Sequence, residues 1–126
     1  MNIAFNYQYR DASNFKRSGQ VIFENPDSWS LSAISLAFEC TVIHGTFIAD
    51  QIKIHELFFD KHPFSSDDHC FHEFIDMEYT DVPSNDRHFR RISEFLADVS
   101  QARESGWLVF DPWEREYEQS LNRRIA

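Results

Sequence analysis

The chain has 126 residues, of which 42% are hydrophobic and 26% charged, and its formal net charge is −9 at pH 7. This length predicts one domain with a single hydrophobic core. A negative field repels nucleic acid and acidic membranes and favours basic protein surfaces, although acidity also maintains solubility. We therefore expect no direct nucleic-acid partner and no membrane partner.

The two cysteines indicate a reducing compartment. Cys40 and Cys70 have neither CxxC nor disulfide-framework spacing. Cys40 stands among apolar residues of a helical pattern, which predicts a small core residue. No stretch approaches the roughly 18 apolar residues of a membrane span, and the first residues lack the pattern of a signal peptide. We expect a cytoplasmic protein.

The N-terminal region predicts two strands. Residues 2–9 alternate, with Ile3, Phe5, Tyr7 and Tyr9 on one side, which is typical of an amphipathic strand. Residues 20–24 form the second strand, and the polar residues 10–18 between them predict an antiparallel hairpin with a long loop.

A helix is predicted from Leu31 to His44, with Ser28 or Ser30 as N-cap and Gly45 as its end. Its inward stripe recurs at three- and four-residue spacing: Leu31, Ile34, Phe38 and Val42. The segment 46–59 is less regular, and residues 47–49 and 57–59 could each form a short strand.

Residues 65–79 begin as a polar loop and continue as an alternating run. Phe71, Ile75, Met77 and Tyr79 share one parity, so residues 71–80 predict a central, half-buried strand. A second helix is expected to start near Asp86. Its inward residues are predicted to be Phe89, Ile92, Leu96 and Val99, with Phe95 beside them.

The C-terminal region adds a small unit after Gly106. Residues 107–110 predict a short strand, and Asp111, Pro112 and Glu114 have the residue types of a helix start at N-cap, N1 and N3. A stripe at spacing four follows on this helix: Trp113, Tyr117, Leu121 and Ile125. This stripe either packs on its own domain or forms a homodimer through the C-terminal helix.

The order of these elements predicts an α+β fold. We expect an antiparallel sheet of four to five strands with two helices packed on it, in the order β-β-α-β-β-α, and a C-terminal β-α appendage. The whole chain, 1–126, is predicted to be one domain, with a core at 1–105 and the appendage at 106–126.

Two sequence blocks carry a resemblance. Tyr9-Arg10-Asp11 lies near the N-terminus, and Asp68-His69-Cys70-Phe71-His72-Glu73-Phe74 lies in the middle of the chain. Over about residues 3–97 the chain resembles a family of small uncharacterised bacterial proteins. The resemblance implies no activity, supports the predicted fold, and leaves the C-terminal unit as an addition.

The loop from His62 to Glu73 is the candidate metal site. Imidazole and carboxylate groups are metal ligands, and those predicted to bind are His69, His72, Asp67 and Asp68. Strand parity places Cys70 and His72 on one face and His69 and Glu73 on the other, so no regular geometry gathers four ligands. The alternative is a solvated loop whose histidines form local hydrogen bonds. A divalent metal is the only cofactor considered.

The region around Arg10 and Asp11 is a second candidate. An Arg-Asp pair beside tyrosines could bind an anion or a peptide, but a structural clamp is favoured, with Asp11 capping its turn and Arg10 pairing with a carboxylate. The chain has three glycines, no GxSxG elbow and no phosphate loop. The sequence therefore does not indicate an enzyme, and no catalytic residue is assigned.

Acidity is concentrated between Glu56 and Asp81, where eight acids stand against one base, Lys61. This pattern predicts a non-catalytic module that docks on a basic, nucleic-acid-binding surface of a partner, as an inhibitor, immunity or anti-defence (anti-CRISPR-like) protein would. The alternative function is a metal-binding domain or metal-dependent hydrolase. The predicted partner-binding residues are Glu56, Asp60, Asp67, Asp68, Asp76, Glu78, Asp81, Trp113 and Tyr117.

Overall fold

A computed structural model describes residues 1–42, 44–59 and 64–125, and within these ranges the fold is α+β, as predicted. The elements are β1 (Asn2–Arg10), β2 (Lys16–Phe23), α1 (Leu31–Glu39), β3 (Thr46–Phe47), β4 (His72–Thr80), α2 (Ile92–Ser105) and α3 (Pro112–Ile125). One turn of 3₁₀ helix spans Asp50–Ile52. The strands form an antiparallel sheet in the order β2-β1-β4-β3.

Strand β1 is confirmed and lies near the middle of the sheet. It pairs with β2 on one side and with β4 on the other. The side chains of Ile3, Phe5, Tyr7 and Tyr9 are all buried. An alternating pattern forms such a strand because successive side chains point to opposite faces of a sheet.

Strand β2 starts at Lys16 rather than at residue 20, so the connection from β1 is short and the predicted long loop is wrong. Lys16 pairs with Arg10 in the regular ladder. Asp11 accepts a hydrogen bond from the Phe15 N–H at 2.9 Å, and Asn14 has a φ of 69°. Polar, exposed residues extend the strand because ladder hydrogen bonds use the backbone.

Helix α1 begins as predicted and ends early. Ser30 Oγ accepts a hydrogen bond from Ala33 N–H at 3.3 Å, which confirms Ser30 as the N-cap. The helix ends at Glu39, before the predicted end at His44. Cys40 is exposed, so its predicted core position is wrong. It caps the helix and follows the last helical residue on the solvent side.

Strand β4 contains a bulge that overturns the predicted parity. The strand begins at His72, and its register with β1 shifts where Ile75 has no partner. His72, of the opposite parity, is therefore buried, and Ile75 is 48% exposed, whereas Met77 is buried as predicted. Tyr79 shares the parity of Met77 but is 46% exposed, and its hydroxyl accepts a hydrogen bond from Leu31 N–H at 2.9 Å. One extra residue moves every side chain on one side of it to the opposite face, and strict alternation cannot anticipate that.

The structure forms no strand at residues 57–59, where the sequence left one open, or at residues 107–110, where the sequence predicted one. The ring of Phe58 instead packs edge-on against Tyr9, with centroids 4.8 Å apart. In the second segment, the Gln51 side chain donates to Gly106 O at 2.9 Å and accepts from Leu108 N–H at 2.8 Å. A side-chain amide thus provides hydrogen bonds that a neighbouring strand would have supplied.

Helix α2 starts at Ile92, later than the predicted start near Asp86. Residues 86–90 form an irregular turn in which Asp86 accepts a hydrogen bond from Arg90 N–H at 2.9 Å. Phe89 has a φ of 54° and is 94% exposed, so its predicted inward position is wrong. Phe95 was predicted to lie beside the inward stripe, but it is fully buried together with Ile92 and Val99.

The inner face of the sheet packs against α1 and α2 through aromatic rings. The ring of Phe5 lies 4.9 Å from Phe38 and 5.1 Å from Phe95. Phe23 stacks on Phe95 at 4.3 Å. These rings account for much of the hydrophobic core that the aromatic composition indicated. Within the described ranges, no helix has the length and apolar content needed to cross a lipid bilayer.

Candidate functional site

Both ring nitrogens of His69 are engaged within the chain. Nδ1 accepts a hydrogen bond from Phe71 N–H at 3.1 Å. Nε2 lies 2.7 Å from the carbonyl oxygen of Arg10, so Nε2 carries the proton and donates it. In this arrangement neither nitrogen has a lone pair available for a metal. The predicted alternative, a histidine that makes local hydrogen bonds, describes this geometry.

His72 is a core residue. Its side chain is fully buried, and Nε2 accepts a hydrogen bond from Leu57 N–H at 2.8 Å. The rings of Tyr9 and Phe58 lie 5.4 Å and 5.2 Å away. Burial removes the imidazolium from water and lowers the pKa of His72 to about 4. The residue is therefore neutral at pH 7 and anchors the segment that contains Leu57.

Asp67 and Asp68 connect their loop to the first hairpin. Asp68 accepts hydrogen bonds from Tyr9 OH at 2.5 Å and from Ser65 N–H at 2.9 Å. Asp67 accepts from Ser13 Oγ at 2.7 Å. Burial, followed by the Asp68 carboxylate, raises the pKa of Tyr9 above its usual value. Both carboxylates thus have structural partners.

The predicted metal ligands do not come together in the described part of the chain. There, no group of three or more His, Cys, Asp or Glu side chains is arranged to hold a metal ion. Asp60 and His62 lie outside the described residues. A metal site that includes His62 therefore stays a prediction.

The predicted clamp at Arg10 and Asp11 is confirmed. Arg10 Nε lies 3.0 Å from Glu73 Oε1, and Arg10 Nη2 donates to Glu73 Oε2 at 3.1 Å. Gln8 Nε2 donates to the same carboxylate at 3.3 Å. These contacts join the end of β1 to the start of β4, while Asp11 caps its own turn. The charge of Glu73 is neutralised within the chain.

Among the residues that the structure describes, the predicted acidic residues do not form one continuous face. Glu56 accepts two hydrogen bonds from Arg115, at 2.8 Å and 3.0 Å, so its charge is also neutralised. Asp67 lies before the start of β4, whereas Asp81 follows its end. At 3.3 Å per residue the two ends of this strand are roughly 25 Å apart.

Two carboxylates do lie together on the outer face of β4. The side chains of Asp76 and Glu78 are exposed and accept hydrogen bonds from the amide of Asn6 at 2.7 Å and 3.2 Å. Asn6 in turn accepts a hydrogen bond from Gln20 Nε2 at 2.8 Å. A row of amides thus holds the carboxylates in place without neutralising them.

Asp76 also borders a groove between β4 and α1, which we call the acidic groove. The groove has a volume of about 440 Å³ and is lined by Leu31, Ser32, Ser35, Glu39, Phe74, Ile75, Asp76 and Met77. Its lining residues include apolar ones and two acidic ones, Glu39 and Asp76. An arginine or lysine suits such a groove, because its stem can pack on apolar atoms while its charged end meets a carboxylate.

A buried ion network at the start of α2 was not predicted from the sequence. Arg90, only 6% exposed, uses all five of its N–H donors. Nε and Nη2 donate to Asp86 at 2.9 Å and 3.0 Å, and Nη1 donates to Asp98 at 3.1 Å. The remaining two bonds reach the carbonyl oxygens of Ile52 and Lys53, at 2.8 Å and 3.0 Å.

This network is structural rather than catalytic, since its donors are already used. The Arg90 guanidinium also lies over the ring of Phe95, at 5.2 Å. Burial opposes ionisation of Asp86, but the bonds from Arg90 outweigh it and hold the pKa of this carboxyl below its usual value. The spacing of four between an aspartate and an arginine is the only local signal of the pair, and it is common on protein surfaces.

The aromatic stripe of α3 is exposed. The rings of Trp113 and Tyr117 stack with centroids 5.6 Å apart, and these residues are 50% and 54% exposed. The helix is held to the domain through Arg115, which also lies 4.2 Å from the centre of the Phe110 ring. The side chain of Ile125 lies outside the described part. A partner for this stripe stays a prediction.

No family model matches the chain, and no curated protein or solved structure shows significant similarity to it. The resemblance to a bacterial family in the two sequence blocks therefore stays a prediction. A function for this chain is accordingly inferred from the positions, charges and contacts of its described residues.

Proposed function

We propose that the protein is a non-catalytic binding module whose acidic groove docks on a basic surface of a partner protein. The observation that supports this proposal most directly is a partly apolar groove bordered by Glu39 and Asp76, with Glu78 beside Asp76 on the outer face of β4. Within the residues that the structure describes, Glu39, Asp76 and Glu78 form no ion pair. Their charge is therefore available to a partner.

The other acidic residues support this assignment by contrast. Glu56, Glu73 and Asp86 each have an arginine partner within the chain. Carboxylates that remain unpaired on a surface retain their full field, and the net charge of −9 extends that field to the whole molecule. Such a field accelerates encounter with a basic partner and disfavours acidic ones.

The class of partner that fits best is a protein that itself binds nucleic acid through a basic surface. An acidic module that occupies such a surface excludes the nucleic acid, as an inhibitor, immunity or anti-defence protein does. We place this activity in the cytoplasm, which accords with two free cysteines, one of them exposed. Trp113 and Tyr117 would contribute a second, separate contact.

A comparison of charge variants tests the groove. We would capture proteins from host lysate with wild-type protein, with the double variant Asp76→Asn/Glu78→Gln, and with a control, Glu104→Gln/Glu118→Gln. The control removes the same charge from exposed positions on α2 and α3. We expect the wild type and the control to capture a basic protein that the groove variant loses.

The salt dependence of capture and the inhibition of the captured protein are measured next. Capture should weaken as ionic strength rises, because the Debye length falls from about 10 Å at 0.1 M to about 3 Å at 1 M. If the captured protein is a nuclease or a DNA-binding protein, the wild type should inhibit it and the groove variant should not. Retention of the same protein by the groove variant would contradict the proposal.

A further inference from the structure

The edge strand β2 presents free backbone groups to solvent. The N–H of Ile22 donates to Asn85 Oδ1 at 2.8 Å, and its carbonyl accepts from Asn85 N–H at 3.1 Å, so the backbone of Ile22 faces away from β1. In an antiparallel ladder, every second residue of a strand points its backbone N–H and C=O groups towards the same edge. Because the register with β1 is regular, the backbones of Lys16, Ser18 and Gln20 also face outward.

These three residues have no backbone partner on the outer edge in the part of the chain that the structure describes. Their side chains are exposed as well. Asn85 covers the edge only at Ile22, and Ile92 N–H covers it at Glu24 O, at 2.8 Å. The open part of the edge therefore begins at Lys16 and ends at Gln20.

A basic cleft lies where the open edge ends. It has a volume of about 160 Å³, and its lining includes Gln20 and three basic side chains, those of Lys53, His55 and Arg87. Arg87 Nη1 lies 3.4 Å from His55 Nδ1 and has no carboxylate within ion-pair distance among the described residues. His55 accepts at Nδ1, so its Nε2 carries a proton that it can donate.

The acidic residues near this cleft already have basic partners within the chain. Asp86 lines it but is bound by Arg90 through its side chain and backbone. Asp98 lies 3.8 Å from Lys53 Nζ and also accepts from Arg90. The cleft is thus locally positive in a protein of strongly negative charge.

We propose that an extended acidic peptide pairs with the open edge of β2 and places a carboxylate in the basic cleft. Main-chain hydrogen bonds would supply affinity, as in other cases of strand addition, and the cations would select for acidic side chains or a C-terminal carboxylate. The span from Lys16 to Gln20 matches about five residues, or roughly 16 Å of peptide. Lys16 supplies a further cation at the far end.

The charges favour a separate peptide over a second copy of this chain. A two-fold antiparallel pairing of two β2 edges, centred on Ser18, would place Lys16 of each copy opposite Gln20 of the other, beside the other copy's basic cleft. Like charges disfavour this arrangement. A lysine on an edge strand also discourages aggregation, and that role alone could explain Lys16. It would not explain three basic side chains around a cleft at the other end of the edge.

Nuclear magnetic resonance provides the test. The probe is a short N-acetylated peptide of alternating valine and glutamate with a free C-terminal carboxylate, added to isotope-labelled protein. We expect saturable shifts of the amides of Lys16, Ser18 and Gln20 and slower hydrogen exchange at those positions. Arg87→Gln should weaken binding about tenfold, because it removes a charge-assisted hydrogen bond. The control Arg103→Gln, on the exposed side of α2, should bind as the wild type does.

A second variant tests the strand addition separately. Ser18→Pro removes an outward N–H that forms no bond within the described part of the protein, and proline is tolerated at such positions on edge strands. We expect this variant to lose the peptide while its thermal midpoint stays close to that of the wild type. If it does not fold, the Arg87→Gln comparison still decides the proposal.

Three results would overturn the proposal. These are the absence of saturable shifts at millimolar peptide, equal binding of a valine–lysine peptide, and equal binding by Arg87→Gln and the wild type.

Shifts at Lys16 to Gln20 on concentrating the protein alone would assign the edge to a second copy. Inorganic phosphate that shifts the cleft while the peptide does not shift the edge would reduce the site to a small-anion site. Asp76→Asn/Glu78→Gln should leave peptide binding intact, so failure here is distinct from failure of the acidic groove.

Discussion

The start of α2 and the acidic groove use similar residue types in opposite ways. At the start of α2, Asp86 and Arg90 are both 6% exposed and form a network with every guanidinium donor used. In the groove region, Asp76 and Glu78 are exposed, and each has a single described hydrogen bond, from an asparagine amide. One set of charges holds the fold together, and the other remains available for binding.

Solvation explains the difference. A charge removed from water carries a large free-energy cost unless hydrogen bonds and an opposite charge replace the water, so a buried network must be complete. A carboxylate on the surface keeps its hydration and needs no partner for stability. Charge that the fold does not use is therefore found where water reaches it, and the groove is such a place.

The largest effect should come from breaking the buried network. Arg90→Met leaves Asp86 buried without its partner and leaves the carbonyl oxygens of Ile52 and Lys53 without a donor. We expect the free energy of unfolding to fall by about 3–5 kcal/mol. Chemical denaturation would measure this loss. Arg87→Met, three positions earlier and exposed, is the control and should change stability by less than about 0.5 kcal/mol; equal effects would refute the assignment.

The next effect should come from His72 as pH falls. Its pKa is about 4 in the folded protein, whereas an unperturbed histidine has a pKa of 6.5. Below pH 6.5 the unfolded chain therefore binds a proton that the folded protein does not, and stability is lost as pH falls from 6.5 towards 4. The loss should approach about 3 kcal/mol.

Urea unfolding at a series of pH values would measure this dependence. His72→Gln should lose stability at pH 7 but show a smaller further loss between pH 6.5 and pH 4 than the wild type. His88→Gln changes an exposed histidine and should retain the wild-type pH dependence. An unchanged slope in His72→Gln would show that other groups cause the acid sensitivity.

A smaller effect is expected at the half-exposed ion pair that holds α3. The side chains of Arg115 and Glu56 are 29% and 24% exposed, so solvent screens their attraction more than it screens Arg90. Arg115→Met should cost about 1 kcal/mol. Hydrogen exchange should become faster along α3 while β1 keeps its protection. Unchanged exchange along α3 would mean that the pair does not hold the helix, and Arg103→Met is the control.

The smallest effect on stability should come from the groove. Asp76→Asn/Glu78→Gln should change the free energy of unfolding by less than about 0.5 kcal/mol, because neither carboxylate has an ionic partner among the described residues. Thermal and chemical unfolding of the double variant would test this. A loss of about 2 kcal/mol or more would place these residues with the structural charges and remove the contrast with the start of α2.

Local patterns predicted the elements that depend on short stretches of chain. The alternation of residues 2–9 predicted β1, and the N-caps at Ser30 and Asp111 were identified because each bonds to N–H groups within three residues of itself. The sequence patterns gave wrong predictions where the conformation of one residue changes the positions of many others. The bulge at Ile75 reversed the parity of the part of β4 that precedes it, and the turn at Phe89 moved the start of α2 to Ile92.

The candidate site was predicted only in part, for the same reason. The sequence drew attention to Asp76 and Glu78 by their charge, but it grouped them with Glu56, which lies in an ion pair with a residue 59 positions away. It also proposed His69 and His72 as metal ligands, although both ring nitrogens of His69 bind Arg10 and Phe71, and Nε2 of His72 binds Leu57. The basic cleft at Arg87 was not found, because its cations are dispersed along the chain.

The sequence by itself determined the α+β class, the amphipathic first strand, the starts of two helices and the acidic character of the middle of the chain. These properties follow from periodicity, capping and composition, which act over a few residues or over the whole chain. Only the tertiary structure decided which charges are neutralised and which remain free. An ion pair depends on distances between residues far apart in sequence, and those distances are set by how the sheet and helices pack.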